Sequence, residues 1–369
     1  MTNSNFFIGL ISGTSIDGID AVLVQFENDQ PKLIATHCGE IDANLRNRIL
    51  NLCSSTNLDF KSLGETDVIF GRAFAQAAKD LLTSSGVDAQ AITAIGSHGQ
   101  TIFHQPTGEQ PFTLQIGDAN TIAELTDITT VADFRRRDMV VGGEGAPLAP
   151  VMHRNCFSSA EENRVILNIG GISNITVLNQ DGSAFAFDTG PGNVLMDYWI
   201  DKHKQQAYDV NGDWAKTGNT NQTLLAQLMT EEYLALSHPK STGRELFSGR
   251  WLESQLESRG KEISAEDVQA TLLEFTASTI TNSINSCSQP NRLFVCGGGA
   301  HNTGLMLKLN ELLSNCDVTS TAALGFDPDW VEAVAFAWMA KQTMAGKSID
   351  TTTFTGASKA TILGGIYQA

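Results

Sequence analysis

At 369 residues the chain is long for a single hydrophobic core, which rarely grows past about 250–300 residues, so two lobes are expected. Hydrophobic residues at 41% and charged residues at 18% exclude a chain disordered by composition. Lys plus Arg total 24 against 41 Asp plus Glu, a net charge of −17, which argues against nucleic acid and anionic membranes as partners and requires a local basic or amide-rich pocket for any anionic ligand.

The start, MTNSNFFIGLISG, has no basic leader region, and no run of about 18 apolar residues occurs, so neither export nor a membrane span is expected. Cys38, Cys53, Cys156, Cys287, Cys296 and Cys316 form no C-x-x-C pair. They read as small core fillers in a reduced cytoplasm.

Apolar and alternating runs predict strands at 6–11, 20–26, 32–37, 92–97, 112–116 and 128–132. A helix is expected over Ser62–Ser84, opened by Ser62-Leu-Gly-Glu65 in capping-box spacing. Further on, strands are expected near 164–169, 172–178 and 184–187 and helices near 192–203, 221–230 and 249–258. A long helix at Ser264–Ser286 carries Glu266 and Asp267 in its first turn, where the helix dipole favours them. The strand 292–296, a Gly-rich turn into a helix, and a helix near 329–345 complete an α/β pattern. The polar, Gly-rich stretch 204–248 reads as loops around a short helix, either a surface excursion or a substrate-facing lid.

One device recurs. FFIGLISGTSIDGIDAVLVQF and RVILNIGGISNITVLNQDG both read strand, Gly/Ser-rich turn, strand, and LFVCGGGAHNTGLMLKL adds a Gly-rich turn opening into a helix. Such turns converge backbone N–H groups and can hold phosphate oxygens without lysines. Thr14 and Ser15 add hydroxyls, and Asp17 and Asp20 offer carboxylates for Mg²⁺. The same residues also make ordinary hairpin turns. The P-loop pattern fails at Lys341, the dinucleotide fingerprint fails at Asn302, and neither H-E-x-x-H nor G-x-S-x-G occurs.

The three turns resemble those of the actin, sugar-kinase and heat-shock-chaperone superfamily, in which two ribonuclease-H-like lobes with mixed sheets flanked by helices grip ATP between them. The segments GLISGTSIDGIDA, GSHGQTIFH, LQIGDAN, DFRRRDM, GEGAPLAP, NIGGISNIT, FDTGPGNVLMD, CGGGAHN and GFDPDWVEAVAFAW, in this order from residue 9 to residue 338, resemble the anhydro-N-acetylmuramic acid kinase family. The resemblance implies an N-terminal lobe over 1–135 and a C-terminal lobe over 136–369 whose last segment can return to the first lobe. It also implies a cytoplasmic homodimer that acts on a small-molecule substrate with ATP and Mg²⁺, opening 1,6-anhydro-N-acetylmuramic acid with water and phosphorylating O6.

For the nucleotide, the resemblance implies Ser12, Gly13, Thr14, Ser15, Ile16, Asp17, Gly18 and Ile19 in the first turn, Gly170 and Gly171 in the second, and Gly297, Gly298 and Gly299 in the third, with Asp17 toward the metal. It makes Asp188 the base that deprotonates water, and sets Glu332 beside the reacting sugar. The plainer readings are a turn or cap residue for Asp188 and the polar face of a striped helix for Glu332. His98, Gln100 and Asp118 are expected on the substrate, unless His98 is structural and Asp118 a helix cap. Arg135 and Arg136, in the run Arg135–Arg137, are candidates for its lactyl carboxylate, with surface ion pairing as the alternative. An ordinary sugar 6-kinase and a non-catalytic ATP switch remain open on these residues.

Overall fold

The computed structural model describes residues 5–13, 16–27, 29–55, 57–243, 245–258 and 263–369. In chain order the strands are β1 (Phe6–Ile11), β2 (Ile19–Glu27), β3 (Gln30–Gly39), β4 (Ile92–Ser97), β5 (Gln100–Gln105), β6 (Phe112–Ile116), β7 (Thr130–Ala132), β8 (Arg164–Ile169), β9 (Ile172–Leu178), β10 (Ala184–Pro191), β11 (Arg292–Cys296), β12 (Asp317–Ser320) and β13 (Gly365–Tyr367). They divide between two compact units, Met1–Cys156 with Trp330–Ala369, and Phe157–Asp329. The first unit thus runs past residue 135 and takes back the end of the chain. Asp138 shows why: its carboxylate is bonded to Thr351 and Thr355, so the segment after residue 135 is tied to the returning one.

Both units repeat one plan. The first sheet has the order β13-β7-β4-β1-β2-β3 and the second β10-β9-β8-β11-β12. In each, the first strand is antiparallel to the second, the second to the third, and the first is flanked on its other side by a parallel strand and then another. This is the ribonuclease-H-like order, with mixed sheets and flanking helices.

In the first unit the apolar run of β1 is covered on both faces, as a central strand in a mixed sheet requires. Ile8 and Leu10 point to one face, into a core shared with Phe70, Phe74 and Leu81 of the helix Phe60–Ser85. Gly9 points to the other. A Cβ there would lie 1.9 Å from the carbonyl oxygen of Ala333, and one on Gly96, its partner on β4, 2.1 Å from that of Phe336. The two missing side chains let the helix Val331–Met344 lie directly on the sheet. That helix is buried nearly all round, and Glu332 in its first turn is an exposed exception, so the expected half-stripe does not describe it.

The helix expected from Ser62 begins at Phe60. Asp59 caps it, accepting from the amides of Lys61 and Ser62, in place of the Ser62 capping box. The long helix runs Ala265–Cys287, with Ser264 as its cap accepting from Asp267 N–H. The stretch 204–248 is less open than its composition implies, since Trp214, Leu224, Leu228, Tyr233 and Phe247 all enter the second unit's core. None of the cysteines is in a disulfide; Cys296 and Cys316 are buried, and the core-filler reading does not extend to Cys38 and Cys53, which are exposed.

Candidate active site

Strands β1, β4 and β7 run parallel, so their C-terminal ends share one edge, where open α/β sheets present ligand-binding loops. Ser12 and Gly13 follow β1, His98 and Gln100 lie at the end of β4, and Arg135 lies just beyond β7. The turns are stitched together: Ser12 N–H donates to the Gly99 carbonyl at 3.3 Å and His98 N–H to the Leu10 carbonyl at 2.9 Å.

Arg135 is fixed from two sides. Its Nε donates to Nε2 of His98 at 2.8 Å and its Nη1 to the Gly145 carbonyl at 2.8 Å. Gly145 N–H in turn donates to Oδ2 of Asp138 at 2.8 Å. Burial pushes the guanidinium down to about 10, opposed by Glu332 and Asp138, which leaves it charged at neutral pH. Glu332 reaches solvent but is ringed closely by protein; this desolvation raises its pKa, and Arg135 acts against the rise.

Three buried polar atoms at this edge, Ser12 Oγ, Ser97 Oγ and Gln100 Oε1, have no hydrogen-bond partner among the described residues. Native interiors leave few such atoms unmatched, and a cluster of them marks a place that water or a ligand completes. Ser97 was not expected here from the sequence.

Other expected substrate residues are placed differently. Asp118 caps the helix Ala119–Thr126, accepting from the amides of Asn120 and Thr121 and from the Thr121 hydroxyl, which is the plainer of its two readings. Arg136 points outward and pairs with Asp133 at 2.6 Å. The ion-pair alternative therefore describes Arg136, and Arg135 alone of the two is held inward.

In the first turn, Thr14 and Ser15 lie outside the described residues. Ile16 is buried and left-handed, with φ of 53°, a conformation a β-branched residue adopts only under constraint. Its carbonyl accepts from Arg46 Nε at 3.1 Å. With Ile16 and Ile19 side chains in the core, these two positions can offer a ligand only backbone. Asp17 is exposed, and Gly18 packs closely on Cys38, where a Cβ would lie 2.6 Å from Sγ. Among the described residues no group of three or more His, Cys, Asp or Glu is placed to hold a metal ion.

The second unit repeats the arrangement. Strands β8, β10 and β11 point the same way, and their ends carry Gly170–Gly171, Asp188 and Gly297–Gly299. The second and third turns abut: a Cβ on Gly297 would lie 2.4 Å from Asn168 Oδ1, and one on Gly299 2.3 Å from Ile169 Cγ2. Gly298 faces open space. Gly170 and Gly171 are braced from behind, their carbonyls accepting from the amides of Asn193, Gly192 and Val194.

Asp188 sits where β10 loses register with β9, just before Gly190. Burial raises its carboxyl pKa to about 6, with the Thr242 amide and Lys240 pulling the other way. Oδ2 accepts from Thr242 N–H at 3.0 Å. Oδ1 accepts from no described residue. A turn or cap residue accepts from amides two or three positions on, whereas the bonded oxygen of Asp188 accepts from Thr242, 54 residues away. Tyr233, Lys240 and Thr242 around it carried no sequence signal, because they reach it from the motif-free stretch 204–248.

Two ribonuclease-H-like units with glycine-lined turns at their strand ends have the architecture of the sugar-kinase type, and the family match makes the chain a phosphotransferase. The chain belongs to the anhydro-N-acetylmuramic acid kinase family, whose model matches residues 5–369. It is 50% identical over 368 residues to the anhydro-N-acetylmuramic acid kinase of Shewanella amazonensis, covering 100% of both chains. The enzyme of that name from Photobacterium profundum is 48% identical over 371 residues, with 98% of each chain covered. Among solved structures, the activator of the 2-hydroxyisocaproyl-CoA dehydratase from Clostridium difficile is similar with a TM-score of 0.47 and 12% identity, covering 92% of this chain and 97% of that one.

Proposed function

We propose that the chain opens 1,6-anhydro-N-acetylmuramic acid with water and transfers the γ-phosphoryl group of ATP to O6, giving N-acetylmuramate 6-phosphate and ADP. Water adds at C1, the C1–O6 bond breaks, and O6 takes the phosphoryl group while the water's proton goes to a base. The observation that carries this reading is Asp188: a half-buried carboxyl with one oxygen unengaged by described residues and a pKa of about 6, suited to accept a proton near neutrality. In an inverting ring opening one carboxylate base suffices, because the phosphoryl group relieves the charge on the leaving oxygen.

Arg135 is the anchor for the sugar's carboxylate, since its Nη2 has no bonded partner among the described residues. Glu332 orients water or a hydroxyl. The open space at Gly298 fits the nucleotide, with Gly170 and Gly171 toward the phosphates. Mg²⁺ is read as arriving with the phosphates, Asp17 supplying a carboxylate through water, because Mg²⁺ sites keep several waters and few protein ligands. Six cysteines outside any disulfide fit a cytoplasmic setting. No helix among the described residues is long and apolar enough to cross a membrane. A homodimer is carried by the family resemblance alone.

The test is turnover in ¹⁸O-labelled water with Mg·ATP and the anhydro sugar, beside open N-acetylmuramate. Label at C1 of a 6-phosphorylated product, lost in Asp188→Asn, is the expected result. Phosphorylation of the open sugar alone would make the chain an ordinary 6-kinase.

A further inference from the structure

β10 is the edge strand of the second sheet, so its outer backbone groups need a partner. The helix Glu232–Ala235 and the segment after it supply one at a single residue. Asp188 N–H donates to the Lys240 carbonyl at 3.2 Å, the Asp188 carbonyl accepts from Tyr233 Oη at 2.7 Å, and Asp188 Oδ2 accepts from Thr242 N–H at 3.0 Å. Amide, carbonyl and carboxylate are thus all gripped by residues 233–242.

The segment is itself anchored. His238 stacks on Phe185 and Phe187, with ring centroids 4.5 and 5.4 Å apart. Lys240 does not extend into water: its Nζ donates to the carbonyls of Tyr233 and Leu234, both at 3.3 Å, and lies 4.8 Å from the Tyr233 ring centre and 5.9 Å from that of Phe187. The charge is held by neutral groups, and the anion that acts on it is Asp188. Among the described residues, the titratable side chains that act on the Asp188 carboxyl are Lys240 and Tyr233. The phenol, driven up by burial and by Asp188, stays neutral. Among the described residues Lys240 is therefore the cation that opposes the desolvation of Asp188.

We propose that Lys240 is a positioning residue for Asp188, holding the strap 233–242 in register against β10 and stabilising the ionised carboxylate through space. The proposal rests on the reading of Asp188 as the water-activating base. It assigns a function to part of a stretch without recognisable motif. Two carbonyl and two ring contacts hold the ammonium where it acts on the carboxylate without forming a close ion pair with it.

The test combines two readouts on the full-length protein. The Asp188 carboxyl is followed by ¹³C NMR titration, assigned by its loss in Asp188→Asn, in wild type, Lys240→Met, Lys240→Gln and Lys240→Arg. An opposite charge nearby lowers a carboxyl pKa by about 1–3 units, so removing this one is expected to raise the titration by about 1 unit in the Met and Gln variants and leave it near wild type in the Arg variant. Gln keeps a donor for the Tyr233 and Leu234 carbonyls, so it separates charge from anchoring if Met disturbs folding. The acid limb of kcat/KM is expected to move up by the same amount. An unmoved NMR titration in folded Lys240→Gln overturns the proposal. A moved titration with an unmoved acid limb keeps the coupling between the two residues and overturns the general-base reading instead.

Discussion

The bond from Arg135 Nε to His98 Nε2, 2.8 Å long, exists in only one tautomer of the imidazole. Nδ1 lies 2.9 Å from the Gly99 carbonyl, which can only accept, so Nδ1 carries the proton and Nε2 the lone pair. Burial, and then Arg135, lower the His98 pKa well below its ordinary value, so the ring stays neutral. His98 is thus a support for Arg135 and not an acid or base.

Replacing it should tell on binding. His98→Ala leaves the buried Nε without its acceptor, and a hydrogen bond to a charged group is worth about 1.5–3 kcal/mol. KM for the anhydro sugar should rise about 10- to 100-fold with a smaller change in kcat. The pH profile should keep its shape, because His98 contributes no ionisation near neutrality.

Asp188 should set the acid limb of that profile. Its carboxylate is the active form, so kcat/KM should fall as pH drops through about 6. Asp188→Asn should lose about 10²–10⁴ in rate and the limb with it. Stability should move oppositely. A carboxyl whose folded pKa is raised from 3.8 binds its proton more tightly in the folded state, so its contribution diminishes as pH rises from about 4 to about 6. Asp188→Asn should therefore raise the melting temperature at pH 7.5 relative to wild type and do so less at pH 5, as thermal unfolding will show.

Gly9→Ala and Gly96→Ala each place a methyl inside van der Waals range of a helix backbone carbonyl that no rotamer change can relieve. Overpacking of this kind costs about 1–3 kcal/mol or more. Both variants should unfold at lower temperature, and Gly9→Ala should also lower activity, because Ala333 is next to Glu332.

Asp138 is fully buried, with bonds to Thr351 Oγ1 and Thr355 Oγ1 as well as Gly145 N–H. Asp138→Ala removes the acceptor of Gly145 N–H and Thr351 Oγ1, each costing about 1–3 kcal/mol, while Thr355 Oγ1 keeps the Thr351 carbonyl. Loss of stability in denaturant unfolding is expected, together with weaker sugar binding through the Gly145 carbonyl that holds Arg135.

Periodicity made most strands legible and the three glycine turns stood out by local pattern, whereas Asp188 was singled out only by the family resemblance. What escaped was long-range. Nothing in the spacing of Arg135, Arg136 and Arg137 says which faces inward, since that is decided by His98 and Gly145. The Asp118 side chain could be read as cap or ligand until its amide partners were seen. The grip of Tyr233, Lys240 and Thr242 on Asp188 depends on an edge strand needing cover, a property of sheet order and not of any short segment. The helix at Phe60 began early because Asp59 outcompeted Ser62 as a cap, a choice between two adequate signals.

The contact of Gly9 with Ala333 also bears on synthesis. A nascent chain emits β1 first but cannot cover its glycine-bearing face until residue 333 leaves the ribosome, about 20–60 s later at about 5–20 residues per second. Phe157–Asp329 has emerged in full before the segment Trp330–Ala369 that completes the first unit, so the unit begun first is the one finished last.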